Sequence, residues 1–126
     1  IVNNLQHVRG AHEVNSAAVS IGAYILDHPE IVEGYLAEVQ AGRDVLATAA
    51  RSLGVGFPYS QTNFQLLRIP GFTNTATIVA ELKSKGYLVK GNFTSLALRD
   101  CIRVTVGPPE LMVSFVGCLR EVIDQL

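Results

Sequence analysis

The sequence predicts an α+β fold, with a small antiparallel or mixed sheet of about four short strands and helices packed on one face. Three observations lead there. Apolar residues recur at steps of three and four in several segments, the period of a helix with one apolar face. Short apolar runs bounded by glycine and proline lie between the later helical segments. The run from Cys101 to Val106 alternates strictly, as a half-buried strand does. The resulting order is helix, helix, strand, strand, helix, strand, strand, helix, and its 126 residues suit a single domain.

Taken in order, residues 1–10 carry no clear period and read as a lead-in segment. Residues 12–26 place Val14, Ala17, Ala18, Ile21, Tyr24 and Ile25 on one helical face, which is expected to be buried. Asp27-His28-Pro29-Glu30 breaks that helix and starts another, because proline lacks only an N–H that the first turn does not use. Glu30 also favours the positive end of the helix dipole. The second helix runs over 29–53 with the stripe Val32, Tyr35, Leu36, Val39, Leu46, Ala50 and Leu53, and Gly54 stands in the C-terminal cap position. Gly34 and Gly42 lower its propensity without breaking the pattern.

A short strand is expected over 55–57 and a second over 63–69, the latter stopped by Pro70-Gly71. Thr73 or Asn74 caps a third helix carrying Ile78, Val79 and Leu82 and ending at Gly86. A brief strand over 87–90 and a polar loop over 91–95 follow. In the strand over 101–106, Ile102, Val104 and Val106 face one side and Cys101, Arg103 and Thr105 the other. Gly107-Pro108-Pro109 ends it. The last helix has the stripe Leu111, Met112, Phe115, Val116, Leu119, Val122, Ile123 and Leu126.

Composition narrows the function. Hydrophobic residues make up 48% and charged residues 17%, which describes a folded chain. A net charge of -1 gives no reason to expect nucleic acid or an anionic membrane as partner. There is no apolar run of membrane-spanning length and no signal-peptide pattern. Cys101 and Cys118 are too far apart for a CxxC site and read as free thiols in a reducing cytoplasm, with a disulfide between them as the alternative. The chain begins at Ile1 and its single methionine is Met112, so a fragment of a longer protein is expected.

Most motifs that carry chemistry fail on inspection. His12-Glu13 opens a zinc-protease helix, but Ser16 stands where the second histidine is needed. Gly54-Val55-Gly56 opens a dinucleotide fingerprint whose third glycine is replaced by Tyr59. No GxxxxGK loop or GxSxG elbow is present, and neither cysteine has an evident histidine partner. His7 and His28 are isolated and read as structural. What survives is Arg103, in mid-strand on the side opposite the apolar one. It is either an ordinary exposed strand arginine or a rigidly held clamp for a carboxylate, through two parallel N–H bonds.

A family resemblance bears on that choice. Ile102-Arg103-Val104-Thr105-Val106-Gly107, followed by Pro108-Pro109-Glu110-Leu111-Met112, resembles the end of fold-type I pyridoxal-phosphate-dependent aminotransferases, and most closely the histidinol-phosphate aminotransferases. Arg9 with Asn15-Ser16-Ala17-Ala18, Thr62-Asn63-Phe64 with Leu66-Leu67-Arg68, and Leu82-Lys83-Ser84-Lys85-Gly86-Tyr87-Leu88-Val89-Lys90 resemble three further family segments in the same order. The resemblance implies a C-terminal small domain that binds the substrate carboxylate and closes the active site. It implies pyridoxal 5'-phosphate as cofactor, a large cofactor-binding domain as partner, an amino-acid or amino-phosphate substrate, and a cytoplasmic homodimer when complete.

Carried over residue by residue, Arg103 clamps the carboxylate; Asn63 and Arg9 are further candidates for the substrate site, the alternatives being that Asn63 orders a loop or turn and that Arg9 pairs with Glu13. Lys90 stands where the family has an arginine for the distal phosphate; a lysine meets an anion as a point charge and lacks the fork. None of Lys83, Lys85 and Lys90 matches the family's Schiff-base lysine, so the chain alone is expected neither to hold the cofactor covalently nor to transaminate. Two other readings stay open: a non-catalytic α+β binding or dimerisation module, and the equivalent domain of a related amino-acid-phosphate decarboxylase.

Overall fold

The computed structural model describes residues 14–126. Within them the chain forms α1 (Ser16–Asp27), α2 (Pro29–Leu53), β1 (Phe64–Arg68), α3 (Ala76–Ser84), β2 (Cys101–Thr105) and α4 (Pro109–Asp124). The described residues divide into two compact units after Tyr35, inside α2.

In the first unit, α1 starts where Asn15 caps it: the side-chain oxygen accepts from the Ala18 N–H at 2.8 Å. His28 closes α1, donating its N–H to the Ile25 carbonyl, and its own carbonyl accepts from Ile31. Its ring lies 4.1 Å from that of Tyr24 and meets Glu30 at 3.0 Å. The buried face expected of this helix is not found. No residue of α1 is buried, and Val14, Val19, Ile21, Tyr24 and Leu26 are exposed. Periodicity specifies an amphipathic helix but not a partner, and the cap and backbone ladder suffice to shape this one. The stripe of α2 is corrected in the same way, since Val32, Tyr35 and Leu36 are exposed.

In the second unit, one core gathers Val39, Leu46 and Ala50 of α2, Ile78 and Leu82 of α3, and Met112, Phe115, Leu119 and Val122 of α4. They join Leu67, Ile69, Ile102, Val104 and Val106. The last three are the residues that alternation assigned to the inner face. Tyr87 meets Phe115 edge to face at 5.5 Å. Thr75, fully buried, donates to the Cys101 carbonyl and accepts from the Asn92 N–H, tying the start of α3 to β2 and to the loop after Lys90. Asn74, not Thr73, supplies a side-chain bond at that helix start, accepting from the Ala76 N–H at 3.2 Å.

The sheet is narrower than expected. β1 and β2 pair antiparallel with Phe64 opposite Thr105, Leu66 opposite Arg103 and Arg68 opposite Cys101. The segments over 55–57 and 87–90 each contribute one isolated bridge, Gly56 to Arg68 and Lys90 to Arg103. Helix endings explain this. Gly54 and Gly86 adopt φ of 66° and 91°, and the residues after them turn back: Val55 donates to Ala50 and Tyr87 to Leu82. Backbone groups spent on closing a helix cannot also build a ladder, and Pro58 has no N–H to extend the first bridge.

Side chains complete the outer edge of β1. The Phe64 carbonyl accepts from the hydroxyls of Ser60 and Thr62, and its N–H donates to Thr62. Gln65 is fully buried yet satisfied: its amide donates to the carbonyls of Pro58 and Leu66, and its oxygen accepts from Arg43 of α2 at 2.8 Å. Arg43 also donates to the Thr62 carbonyl.

Candidate functional site

β2 carries Ile102 and Val104 into the core and leaves Arg103 exposed on the other face. Lys90 is its neighbour across the bridge: Lys90 N–H donates to the Arg103 carbonyl at 3.1 Å and Arg103 N–H to the Lys90 carbonyl at 2.6 Å. Residues directly opposed in this way project to the same face, and like charges so placed are destabilising. On the other side of Arg103 stands Leu66, half-buried. Diagonally placed Phe64 sets its ring under the guanidinium, with Cζ 5.1 Å from the ring centroid. The ion pairs among the described residues are His28–Glu30, Arg68–Asp100 and Lys85–Glu121, and none involves Arg103 or Lys90.

Two adjacent cations without an acid among the described residues form a face suited to an anion. The guanidinium offers its N–H groups in a plane, so an aromatic ring against one side leaves the fork available for a carboxylate. Lys90 adds a compact positive charge.

The other predicted site residues fare differently. Asn63 lies just outside β1. Its carbonyl accepts from the Val106 N–H at 2.9 Å, and its side chain is exposed. The register continued from Phe64 opposite Thr105 sets it against Val106, of the opposite parity to Arg103. The fold thus brings Lys90 and Arg103 together and leaves Asn63 at the end of the sheet. Arg9 falls outside the described residues.

Sequence reasoning gave Phe64 no part in supporting Arg103 and passed over the Arg68–Asp100 clamp. The signal for Phe64 was available in its parity with Leu66, which puts it on the outward face. Nothing local announced Asp100. Arg68 reaches both its carboxylate oxygens, at 2.8 and 2.6 Å, and also donates to the Ala97 carbonyl, fastening the end of the 91–100 loop to β1. Desolvation pushes the Asp100 carboxyl up, but the hydrogen bonds from Arg68, its own backbone N–H and the Cys101 thiol, with the charge of Arg68, together outweigh it and hold the group below its ordinary value. A carboxyl depressed in the fold stabilises it above the unfolded value, about 3.9, and that contribution is lost as pH falls through the folded one. Melting temperature recorded from pH 5 downward should therefore decline less steeply for Asp100→Asn than for the parent chain.

The lysines show what this face does not include. The hydrogen bond that Lys85 donates to Glu121, then the charge of Glu121, pushes the Lys85 ammonium up from its ordinary value, with the two groups 3.0 Å apart. An amine that attacks a carbonyl needs the opposite shift. Lys83 and Lys90 are exposed. Both cysteines are free, and burial pushes both thiols up, away from nucleophilic use. Among the described residues no cluster of three metal-ligating side chains occurs, and no helix is long and apolar enough to cross a membrane.

No family model matches the chain. It is 34% identical over 123 residues to histidinol-phosphate aminotransferase of Symbiobacterium thermophilum, covering 96% of this chain and 33% of that protein. To the enzyme of that name from Chromobacterium violaceum it is 31% identical over 123 residues, covering 95% of this chain and 33% of the relative. The chain thus spans about a third of the length of the curated relatives it matches. The crystal structure of histidinol-phosphate aminotransferase from Sinorhizobium meliloti in complex with pyridoxal-5'-phosphate aligns with a TM-score of 0.78 and 20% identity, over 97% of this chain and 33% of that one. That likeness shows a shared fold.

Proposed function

Since the chain resembles the C-terminal small domain of histidinol-phosphate aminotransferases, we propose that it is that part of a pyridoxal-phosphate-dependent aminotransferase. In this reading it binds the substrate carboxylate through Arg103 and closes the active site. The observation that carries the proposal is the pairing of Arg103 with Lys90 on an open sheet face. A fold gains nothing from opposing two cations there, whereas anionic groups of a ligand remove the repulsion, one of them taking up the guanidinium fork.

Arg103 orients the substrate by its carboxylate. Lys90 meets the distal anionic group as a point charge, in the place where the family has an arginine. The resemblance alone assigns Asn63 and Arg9 to substrate binding. The sheet face bearing Arg103 lies towards the cleft, and the large domain, which lies outside this chain, holds the cofactor. The complete enzyme is a homodimer acting on an amino acid or amino-phosphate and a 2-oxo acid.

The test is an assay of the full-length protein that carries this chain, supplied with pyridoxal phosphate, amino-phosphate or amino-acid donors, and 2-oxoglutarate. Transfer of the amino group is the expected result. Release of carbon dioxide without transfer would replace the aminotransferase reading with the decarboxylase one. A protein that does neither, with Arg103→Ala changing only self-association, would make this a binding or dimerisation module.

A further inference from the structure

We infer that Phe64 is a positioning residue, which holds the Arg103 guanidinium in the orientation that receives the substrate carboxylate. The inference rests on the proposed role of Arg103 and extends it to a residue that does not itself touch the carboxylate.

An exposed arginine that nothing restrains samples many conformers. Its side chain has four rotatable bonds, and fixing them on binding lowers affinity. Arg103 is exposed, has no acid partner among the described residues, and stands opposite Lys90, whose charge repels it. An acidic neighbour would restrain it but would occupy the fork that a ligand needs. An aromatic face restrains it differently: the ring attracts the cation from one side of its plane and accepts no N–H bond from its edge.

The fold supplies such a ring. Phe64 is opposite Thr105 in the β1–β2 register, hence diagonal to Arg103 and on the same face. Its ring is half-buried, and the guanidinium carbon lies 5.1 Å from the centroid. The backbone of Phe64 is fixed in turn by Ser60 and Thr62, whose hydroxyls bond to its carbonyl at 3.0 and 3.1 Å. The ring is therefore mounted on a restrained backbone, and the arginine is directed before its ligand arrives.

A double-mutant cycle in the full-length enzyme tests this. KM and kcat for the carboxylate-bearing donor are measured for the parent, Phe64→Leu, Phe64→Tyr, Arg103→Ala and the Phe64→Leu/Arg103→Ala pair. Phe64→Leu is expected to raise KM about two- to five-fold, the scale of an exposed cation–π contact, with a smaller change in kcat. Phe64→Tyr, which keeps a ring face, should restore most of that loss. In the Arg103→Ala background, Phe64→Leu should add nothing, because its effect acts through the guanidinium. An equal rise in KM with and without Arg103, or no recovery in Phe64→Tyr, would overturn the positioning role while leaving Arg103 as the clamp. An unchanged KM in Arg103→Ala would overturn the carboxylate reading itself.

Discussion

Replacing Arg103 by alanine in the full-length enzyme should lower kcat/KM for the carboxylate-bearing substrate by between about thirty-fold and a few thousand-fold. That range corresponds to the roughly 2–5 kcal/mol lost when one partner of a desolvated, hydrogen-bonded charge pair is removed. The same substitution should barely alter folding. Arg103 is exposed, its contact with Phe64 stabilises by only about 0.5–1 kcal/mol, and its removal relieves the repulsion from Lys90. Denaturant midpoints of parent and variant should nearly coincide. Arg103→Lys keeps the charge but not the planar fork, and should recover only part of the loss. A large fall in stability with no change in kcat/KM would reduce Arg103 to an ordinary strand residue.

The largest stability effect is expected at Gly42. A Cβ added there would lie 1.9 Å from the Gly107 carbonyl oxygen and 3.2 Å from Met112 Cγ, so α2 passes directly against the turn that leaves β2. Alanine is favoured over glycine inside a helix by about 1 kcal/mol. Here that gain is opposed by a clash with backbone, which has no rotamer by which to escape, and overpacking of this kind costs about 1–3 kcal/mol or more. Gly42→Ala should therefore be destabilising. Gly34→Ala in the same helix meets nothing within 4 Å and should be neutral or stabilising. Thermal melts of the two variants check the contrast; two stabilising alanines would mean that α2 and the turn do not meet. Because Gly107 follows closely on Thr105, displacing it also shifts the strand bearing Arg103, so Gly42→Ala should raise KM as well.

That glycine illustrates where sequence stops informing. From the chain alone, Gly42 is a weak spot in a helix; its purpose depends on Gly107, which only the folded chain brings close. The bounds of α2 were legible because Pro29, Glu30 and Gly54 act through backbone chemistry within a turn of themselves. The inner face of β2 was legible by alternation, and with it the outward side of Arg103. The two outer strands were overestimated. Apolar runs beside Gly54 and Gly86 look like strands, but their first N–H groups belong to the helix endings. The face of α1 was misjudged because amphipathicity states that a helix has an apolar side without saying what covers it. At the site, Lys90 and Phe64 reach Arg103 only through register, a non-local property that no spacing rule contains.

The dressing of β1 has a bearing on how the chain behaves in a crowded solution. A two-stranded sheet ordinarily offers bare strand edges to any extended peptide and so invites aggregation. Here Ser60, Thr62 and Gln65 occupy the outward carbonyls of Phe64 and Leu66, while Gly56 takes both backbone groups of Arg68. A visiting strand would find almost no ladder to extend. The polar side chains that finish this short strand thus guard its edge against fibre-like association.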